Sequence, residues 1–270
     1  CYICATPIGN LADSSSRLRE TLSSVAIIAA EDTRKTAILL NHFKLKAKLI
    51  RLDKYTEARH VDSVLSVLHS GQHIAVVSDA GTPTIADPGH FFIHSLIQAG
   101  IRIVPIPGPC SVTTLLSASG LDVDQYYFAG FFPRKSTDAT SLLHRLAQYH
   151  CPIVFFESPK RIEKTFNLLA TIVPEANCIV AKELTKSFET FFRGSPADIQ
   201  RQLPSTLIKG EWCFVLTLPE DSTTSELNFT FIDQAKQLGL SNKSITGLCV
   251  TLGFNKNQVY EYLISKNETT

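Results

Sequence analysis

The chain has 270 residues but no methionine, a single tryptophan and a formal net charge of only +1 at pH 7. Without an excess of positive charge, nothing global marks it as a nucleic-acid-binding protein, and any such contact would need local basic patches. No apolar run approaches the ~18 residues that a membrane span needs, and no signal peptide is visible, so we expect a cytoplasmic protein without a membrane partner. The first residues already form a strand-like run, so we expect the natural N-terminus to be trimmed.

The seven cysteines are odd in number and widely spaced, unlike a disulfide framework. Cys1 and Cys4 form a nominal C-x-x-C pair, but they lie in a strand-like run, where positions i and i+3 point to opposite faces. No second Cys or His pair completes a zinc site, so we expect reduced thiols and no bound metal.

Several ligand-binding motifs are missing as well. The chain contains neither G-x-G-x-x-G nor G-x-x-x-x-G-K-[ST], which excludes the usual dinucleotide and triphosphate cradles. It also lacks the G-x-S-x-G turn of α/β hydrolases. With 44% apolar and 19% charged residues, the composition is that of a globular protein of one or two domains.

What the chain does have is a set of apolar runs that each end in a polar loop. The richest loop follows Ile74-Ala75-Val76-Val77, where a carboxylate, glycines and prolines crowd into residues 78–89. Similar loops follow the runs that end near residues 5, 30, 106, 156 and 181. Because open α/β sheets bind ligands at the carboxyl ends of their strands, the set predicts an active site there. For any single loop the alternative is an ordinary βα turn, which favours the same residue types.

Helix-like segments separate these runs. Apolar residues at helical spacing predict helices over residues 13–24, 33–42 and 59–69. Asp87-Pro88 predicts a helix start with the proline near N1, and Gly100 predicts the end of that helix at C′. Ser158-Pro159 repeats the start signal before an apolar helical pattern. The alternation predicts an α/β fold with mainly parallel pairing, at least in the first half.

Turn residues near Ser119-Gly120 predict a boundary between two domains. We expect an N-terminal α/β domain over residues 1–119 and a C-terminal α/β domain over residues 120–218. A polar linker over residues 219–227 would then lead to a helical tail over residues 228–266.

Short helices in the tail are joined through Ser241-Asn242-Lys243 and Gly253-Phe254-Asn255. This arrangement predicts a helix-turn-helix-like module. A helical appendage that packs on a partner subunit explains the same pattern, and both interpretations stay open.

The strand-end loops have the chemistry to hold a nucleotide-like ligand. Gly81 and Gly108 allow the main chain to approach closely, and Asp79 can accept hydrogen bonds from hydroxyl or ammonium groups. Phosphates would need basic clusters, although each cluster alone is more often a solvated face. The candidates are Arg134-Lys135, Lys160-Arg161-Lys164 and Lys182-Lys186-Arg193.

Seven segments occur in the order of one protein family. They are Ala5-Thr6-Pro7-Ile8-Gly9-Asn10-Leu11, Ala30-Glu31-Asp32-Thr33-Arg34, Ser78-Asp79-Ala80-Gly81-Thr82-Pro83, Pro107-Gly108-Pro109, Glu157-Ser158-Pro159, Glu183-Leu184-Thr185-Lys186 and Lys209-Gly210-Glu211. On these segments the chain resembles the ribosomal RNA small subunit methyltransferase I family of the tetrapyrrole methylase superfamily. The resemblance covers about residues 2–218, and the tail resembles the family's C-terminal helical module.

The resemblance implies S-adenosylmethionine-dependent 2′-O-methylation of a cytidine in the decoding region of 16S rRNA. It implies two α/β domains of the tetrapyrrole methylase type with the cofactor in the cleft between them, in a homodimer that acts on the small ribosomal subunit. One alternative is a tetrapyrrole or corrin methyltransferase with the same fold and donor, against which the Glu-Asp-Thr-Arg and Glu-Leu-Thr-Lys segments and the tail argue. The other is a non-catalytic RNA-binding ribosome assembly factor, against which the intact loops argue.

The same resemblance implies roles for individual residues. The cofactor-binding residues would be Pro7, Ile8, Asp79, Ala80, Gly81, Ile85, Cys110, Ser111, Phe156 and Gly210. The substrate-binding residues would be Thr6, Gly9, Asn10, Arg34, Lys135 and Lys182. The chain departs from the family pattern at residues 52–57, Phe156 and Lys160, which weakens the expectation of RNA contacts near residues 53–60.

Because a ribose hydroxyl is a weak nucleophile, the reaction benefits from a base or a charge stabiliser. The candidates are Glu31, Asp32 and Lys186, which all sit in strand-end loops. The alternative for the two acids is an ion-pair lattice, such as Asp32 with Arg34, that only fixes the shape of the loop.

Overall fold

The computed structural model describes residues 1–203, 209–219, 226–251 and 256–265. The chain divides into two compact units, residues 1–218 and residues 219–270. The larger unit contains two five-stranded sheets with helices around them, and the described part of the smaller unit is helical.

The first sheet is parallel throughout, with strand order β3-β2-β4-β1-β5. In chain order its elements are β1 (Tyr2–Cys4), α1 (Ser16–Ser24), β2 (Ile27–Ala30), α2 (Thr33–Phe43), β3 (Lys48–Arg51), α3 (Glu57–His69), β4 (Ile74–Val77), α4 (His90–Gln98), β5 (Val104–Ile106) and α5 (Ser111–Ser117). The parallel pairing predicted for the first half is therefore confirmed.

Both faces of this sheet are buried, which explains why its central strands are apolar without alternation. Cys4 packs with Ile28 and Ala30 against α1 and α2. Cys1 packs with Ile27 on the opposite face, among residues of α3 and α4. The two cysteines thus face apart, as strand geometry predicts. All seven cysteines are free thiols.

The second sheet is mixed, with strand order β6-β7-β10-β8-β9. Its elements are β6 (Tyr127–Phe131), α6 (Ser136–Ala147), β7 (Ile153–Glu157), α7 (Ile162–Ile172), β8 (Asn177–Lys182), β9 (Thr190–Gly194), α8 (Pro196–Gln202) and β10 (Trp212–Thr217). Only β6 and β7 pair in parallel. Because β7 and β8 both lie antiparallel to β10, they run in the same direction and their carboxyl ends meet at one edge.

Two hydrophobic clusters cover the faces of the second sheet. One contains Phe155 and Phe214 of the sheet together with residues of α6, α7 and α8. The other contains Val154 and Val215 of the sheet, Leu115 of α5, and Ile8 from the loop after β1. This second cluster joins the first half of the large unit to the second half.

Two predicted helix starts are wrong. The helix α4 begins at His90 after the N-cap Gly89, so Pro88 precedes the cap instead of occupying N1. The helix α7 begins at Ile162 after Arg161, so Pro159 also lies in the loop. In the first case the backbone has left-handed φ values at several loop positions, which are incompatible with a helix. The predicted end of α4 is confirmed, because Gly100 follows the C-cap with φ +76°.

The smaller unit contains α9 (Glu226–Gln237), α10 (Asn242–Thr251) and α11 (Lys256–Ser265). Its described core consists of Ile232, Ala235, Ile245, Cys249, Val259 and Leu263. The predicted turn at residues 253–255 and most of the predicted linker lie outside the described residues. Within the described ranges, no helix is long and apolar enough to cross a membrane, and no cluster of His, Cys, Asp or Glu has the makings of a metal site.

A buried glutamate caps the start of α4. Glu57 is buried, and its carboxylate accepts hydrogen bonds from the backbone N–H groups of Gly89 (3.0 Å) and Phe92 (3.2 Å). The N-cap residue is a glycine and supplies no side-chain cap. Glu57 therefore replaces the cap and ties α3 to the end of the loop after β4.

We predict that Glu57→Ala lowers the free energy of unfolding by about 2 kcal/mol, because two buried N–H groups lose a charged acceptor. Urea unfolding followed by circular dichroism measures this loss. Glu20→Ala, which removes an exposed glutamate of α1, is the control and should change stability by less than about 0.5 kcal/mol. Equal effects of the two substitutions would contradict the capping role.

Candidate active site

A cavity, which we call the main cavity, lies where strand-end loops of both sheets meet. Its volume is about 310 Å³, within the usual range for ligand pockets. Loops after β1, β4, β5, β7 and β8 contribute to its wall, together with the segment before β10. Both halves of the large unit therefore contribute strand-end loops to one cavity, at the carboxyl edge of the strands where the sequence predicts an active site.

Eight of the ten predicted cofactor-binding residues line the main cavity. They are Ile8, Ala80, Gly81, Ile85, Cys110, Ser111, Phe156 and Gly210. The wall is largely apolar, because Val112 and Leu184 join the isoleucines and the Phe156 ring. That ring is held edge-on by Phe128 and Phe131, at centroid distances of 4.9 and 5.8 Å.

The other two predicted cofactor-binding residues, Pro7 and Asp79, line a smaller neighbouring cavity of about 110 Å³. The Asp79 carboxylate is already engaged there. It accepts a hydrogen bond from the backbone N–H of Asp32 (2.9 Å) and forms an ion pair with Lys35 (2.9 Å). Asp79 thus fastens the loop after β2 to the loop after β4 and is not among the residues that line the main cavity.

Two reciprocal backbone hydrogen bonds connect the loops after β1 and β4. Thr6 N–H donates to Gly81 O (2.9 Å), and Gly81 N–H donates to Thr6 O (3.0 Å). The Thr6 hydroxyl, a predicted substrate contact, donates to Ser78 O (3.3 Å) inside the protein. The Thr82 hydroxyl extends the connection by donating to Pro109 O, after β5 (3.4 Å). Three strand-end loops therefore form one hydrogen-bonded frame.

The loop after β4 has an unusual backbone. Thr84 and Ala86 have φ values of 69° and 64°, which residues with a Cβ rarely adopt. Such strain persists only where the surrounding structure holds it, and it is frequent at functional sites. Its consequence here is that Ile85 and Asp87 both line the main cavity.

Asp87 is a further candidate site residue, to which the sequence motifs do not point. It lines the main cavity, and burial raises the pKa of its carboxyl group to about 6, with a smaller upward effect from the charges of Glu31 and Asp79. A hydrogen bond with the Ser78 side chain acts in the opposite direction. Its signal in the sequence is the Asp-Pro-Gly triplet over residues 87–89, whose first two residues predict a helix start instead.

The two predicted catalytic acids after β2 have different environments. The Asp32 carboxylate caps α2 by accepting from Arg34 N–H (2.9 Å) and forms an ion pair with the Arg34 guanidinium (2.6 Å). These bonds hold the pKa of Asp32 far below its usual range. Burial, followed by the charge of Asp79, raises the pKa of Glu31, whose carboxylate accepts a hydrogen bond from Asp79 N–H (3.4 Å). The arrangement of Asp32 and Arg34 matches the ion-pair alternative.

Lys186, the third catalytic candidate, lies between two carboxylates. Its ammonium contacts Glu183 at 2.8 Å and Glu211 at 3.0 Å. Glu211 lines the main cavity, so the lysine borders this site through its partner. Glu157 also lines the cavity, but its buried carboxylate is used by Ser158 N–H, by the Thr165 hydroxyl and by Arg161.

The predicted substrate-binding residues fall into two groups. Asn10 has a structural bond, because its side chain caps the 3-10 turn over Leu11–Asp13 by accepting from Ala12 N–H. Lys182 places its ammonium over the Trp212 ring, 5.6 Å from the centroid. Arg34 and Lys135 are largely exposed, at the starts of α2 and α6.

Gly9 lies where the loop after β1 touches the segment after β8. A Cβ at this position would lie 2.5 Å from Lys186 Cγ and 2.8 Å from both Leu184 O and Thr185 Oγ1. Since the backbone carbonyl cannot move away cheaply, only glycine allows this approach. Gly9, a predicted substrate-binding residue, is therefore also the position that allows the two halves of the large unit to pack closely.

We predict that Gly9→Ala lowers the free energy of unfolding by about 1–3 kcal/mol, because one of two packed loops must shift. Chemical unfolding is the measurement. Gly247→Ala is the control, since a Cβ there meets nothing within 4 Å, and a helical alanine should not destabilise the protein. A Gly9→Ala protein as stable as the wild type would contradict the close contact.

Comparisons with known proteins agree with this architecture. A family model described as Tetrapyrrole (Corrin/Porphyrin) Methylases matches residues 1–200. The chain is 36% identical to Ribosomal RNA small subunit methyltransferase I of Pasteurella multocida over 267 residues, which cover 97% of this chain and 95% of that protein. It is 45% identical to the protein of the same name from Vibrio cholerae over 196 residues, which cover 72% of this chain and 68% of that one.

Solved structures resemble the fold at low sequence identity. Diphthine synthase superimposes with a TM-score of 0.61 and 11% identity, over 80% of this chain and 88% of its own. Cobalt precorrin-4 methyltransferase superimposes with a TM-score of 0.58 and 18% identity, over 79% of this chain and 93% of its own. From the sequence relatives and the family match together, the chain belongs to the ribosomal RNA small subunit methyltransferase I family of tetrapyrrole methylases.

Proposed function

We propose that the protein transfers the methyl group of S-adenosylmethionine to the 2′-hydroxyl of a cytidine in the decoding region of 16S rRNA. The observation that carries the proposal is the main cavity, because eight residues expected to contact the cofactor converge there in a chain of this methyltransferase family. The proposed substrate is the small ribosomal subunit in the cytoplasm, and the proposed active form is a homodimer with two α/β domains per chain.

The main cavity suits this cofactor chemically. Gly81 and Gly210 have φ values of 81° and 113°, and a Cβ at either position would press on a neighbouring side chain. The Gly81 N–H and C=O are bonded to Thr6, so these glycines contribute by letting a ligand's adenine and amino-acid groups approach the main chain closely, while the apolar wall excludes water. Bound there, the sulfonium supplies an electrophilic methyl group.

We assign the proton of the attacking hydroxyl to Asp87. A general base works best when its pKa lies near the working pH, and Asp87, with a pKa of about 6, lines the cavity. The charge of Glu31 helps to raise the pKa of Asp87, and the pKa of Glu31 is itself raised, first by burial. Asp32 is a poorer base because Arg34 stabilises its charged form. Lys186 has the proposed role of a charge stabiliser at the rim.

Some of the basic residues proposed to contact RNA phosphates lie in two segments of the second half of the large unit that Arg161 joins. Arg161 donates from Nη2 to the carbonyls of Phe132 (2.8 Å) and Pro133 (3.0 Å). These bonds tie the segment that precedes Arg134 and Lys135 to the turn that carries Lys160. Ser158 and Pro159 of the same turn line the cavity. A phosphate contact here would hold the RNA backbone beside the cavity mouth.

The test is transfer of labelled methyl from S-adenosylmethionine to isolated small ribosomal subunits, followed by nucleoside analysis of the digested RNA. We expect labelled 2′-O-methylcytidine. Label on another nucleoside would refute the cytidine assignment. Cofactor binding by calorimetry without any label would favour a tetrapyrrole or other small-molecule substrate, and absence of both would favour a non-catalytic assembly factor.

We predict that Asp87→Asn slows methyl transfer yet raises the unfolding temperature at neutral pH. Because the pKa of Asp87 is raised from 3.8 to about 6 in the folded protein, this group's contribution to stability is largest at low pH and is lost as the pH rises through about 6. Asparagine has no charge to bury, so its advantage should vanish near roughly pH 4. Calorimetric unfolding and initial transfer rates, both across pH, are the measurements.

In the wild type the transfer rate should rise with pH through about 6, the pKa of Asp87, and Asp87→Asn should lack this step. Asp62→Asn, on the exposed face of α3, is the matched control and should leave both profiles unchanged. A wild-type step that persists in Asp87→Asn would assign the proton to another group.

A further inference from the structure

Phe188 is one of the most exposed aromatic side chains in the described part of the protein. Its exposed fraction is 81%, although exposing a phenylalanine to water is unfavourable. It lies in the seven-residue segment 183–189 between β8 and β9, which we call the rim loop. A single exposed apolar residue needs no explanation by itself, but the hydrogen bonds, backbone conformation and position of the rim loop set Phe188 apart.

The rim loop is held in one conformation by its own hydrogen bonds. Glu189 accepts from Thr185 N–H (2.7 Å), and its own N–H donates to Lys186 O (3.0 Å). The Thr190 hydroxyl donates to Phe188 O (3.2 Å). These bonds on both sides of Phe188 fix its backbone, so the ring is presented to solvent at little cost in conformational entropy.

The rim loop also stores backbone strain. Glu183 and Thr185 have φ values of 56° and 65°, a region in which residues with a Cβ are uncommon. Residues held in such sparsely populated conformations cluster at active sites and ligand-binding sites. Phe188 follows these two residues and is exposed to solvent.

Position links the rim loop to the active site. It follows the carboxyl end of β8, contacts the loop after β1 at Gly9, and its residue Leu184 lines the main cavity. Lys186, two residues before Phe188, is bound to Glu211 of the cavity wall. An RNA segment that delivers a ribose to the main cavity across this side would pass the rim loop.

We propose that Phe188 is a stacking surface for an unpaired nucleobase of the RNA substrate, next to the nucleotide whose ribose enters the main cavity. The proposal rests on the function proposed above. Phenylalanine has no hydrogen-bonding group, so it would hold a base by its π-face without reading its identity. Proteins that act on single-stranded RNA commonly hold splayed bases on aromatic rings in this way.

The experiment measures kcat/KM for isolated small ribosomal subunits with Phe188→Ala, Phe188→Leu, Phe188→Tyr and Phe188→Trp. We expect the alanine variant to lose roughly five- to hundredfold, in line with the effect of removing a stacked aromatic. The leucine variant should lose as much kcat/KM as the alanine variant, because leucine is apolar but has no planar ring on which a base can stack. The tyrosine and tryptophan variants should stay within about threefold of the wild type. The affinity for S-adenosylmethionine by calorimetry should not change.

Tyr149 provides the matched control. Its exposed fraction is 58%, and it lies before β7, at the edge of the second sheet opposite to the rim loop. Tyr149→Ala should leave kcat/KM unchanged. The chain's single tryptophan, Trp212, is buried, so Phe188→Trp adds one exposed indole. Its fluorescence should fall when small subunits are added, and that of Tyr149→Trp should not.

The outcomes separate this inference from the proposed function. If the wild type does not methylate small subunits, the proposed function fails, and the stacking proposal fails with it. If the wild type is active but Phe188→Ala matches it, or Phe188→Leu restores activity, only the stacking proposal is overturned. Unfolding temperatures equal to that of the wild type would confirm that an exposed ring has been changed without damage to the fold.

Discussion

The candidate active site depends on one pair of backbone hydrogen bonds, between Thr6 and Gly81. Because β1 lies between β4 and β5, the chain that leaves β1 must pass between the loops of its neighbours. The pair fixes that path and directs Ile8 into the cluster that it shares with α5 and the second sheet. One short backbone contact thus sets the wall of the main cavity and the junction between the two halves of the large unit.

The carboxyl groups at this edge fall into two classes, those with hydrogen-bond or ion-pair partners that stabilise their charge and those whose charge is destabilised by burial. Asp32, Asp79 and Glu157 spend their carboxylates on helix caps, backbone N–H groups and cations, and these bonds stabilise the loops. Asp87 and Glu31 differ because burial makes their charged forms unfavourable. Carboxyl groups with a raised pKa lower the stability of the folded protein when they are charged, but they are better suited to proton transfer near neutral pH. This trade-off is common at active sites.

The cavity and its rim provide two kinds of surface. The interior offers apolar side chains and glycines that allow a close approach to the main chain, which suit a compact nucleoside-like ligand. The rim loop offers an exposed ring on a backbone with left-handed residues, which suits RNA with bases to stack. Gly9 is where these surfaces meet, since it packs the loop after β1 against the rim loop.

The sequence by itself determined the α/β fold, the parallel first sheet and the strand-end location of the polar loops, because those features follow from local patterns of burial and turn residues. It also led, through family resemblance, to eight of the ten expected residues in the main cavity. Only the tertiary structure decided the mixed second sheet and the short strands β3 and β9, whose pairing depends on distant partners. Only the tertiary structure showed that Asp87, and not the expected Asp79, lines the main cavity. The left-handed residues Thr84 and Ala86 turn the loop in a way that no local pattern encodes.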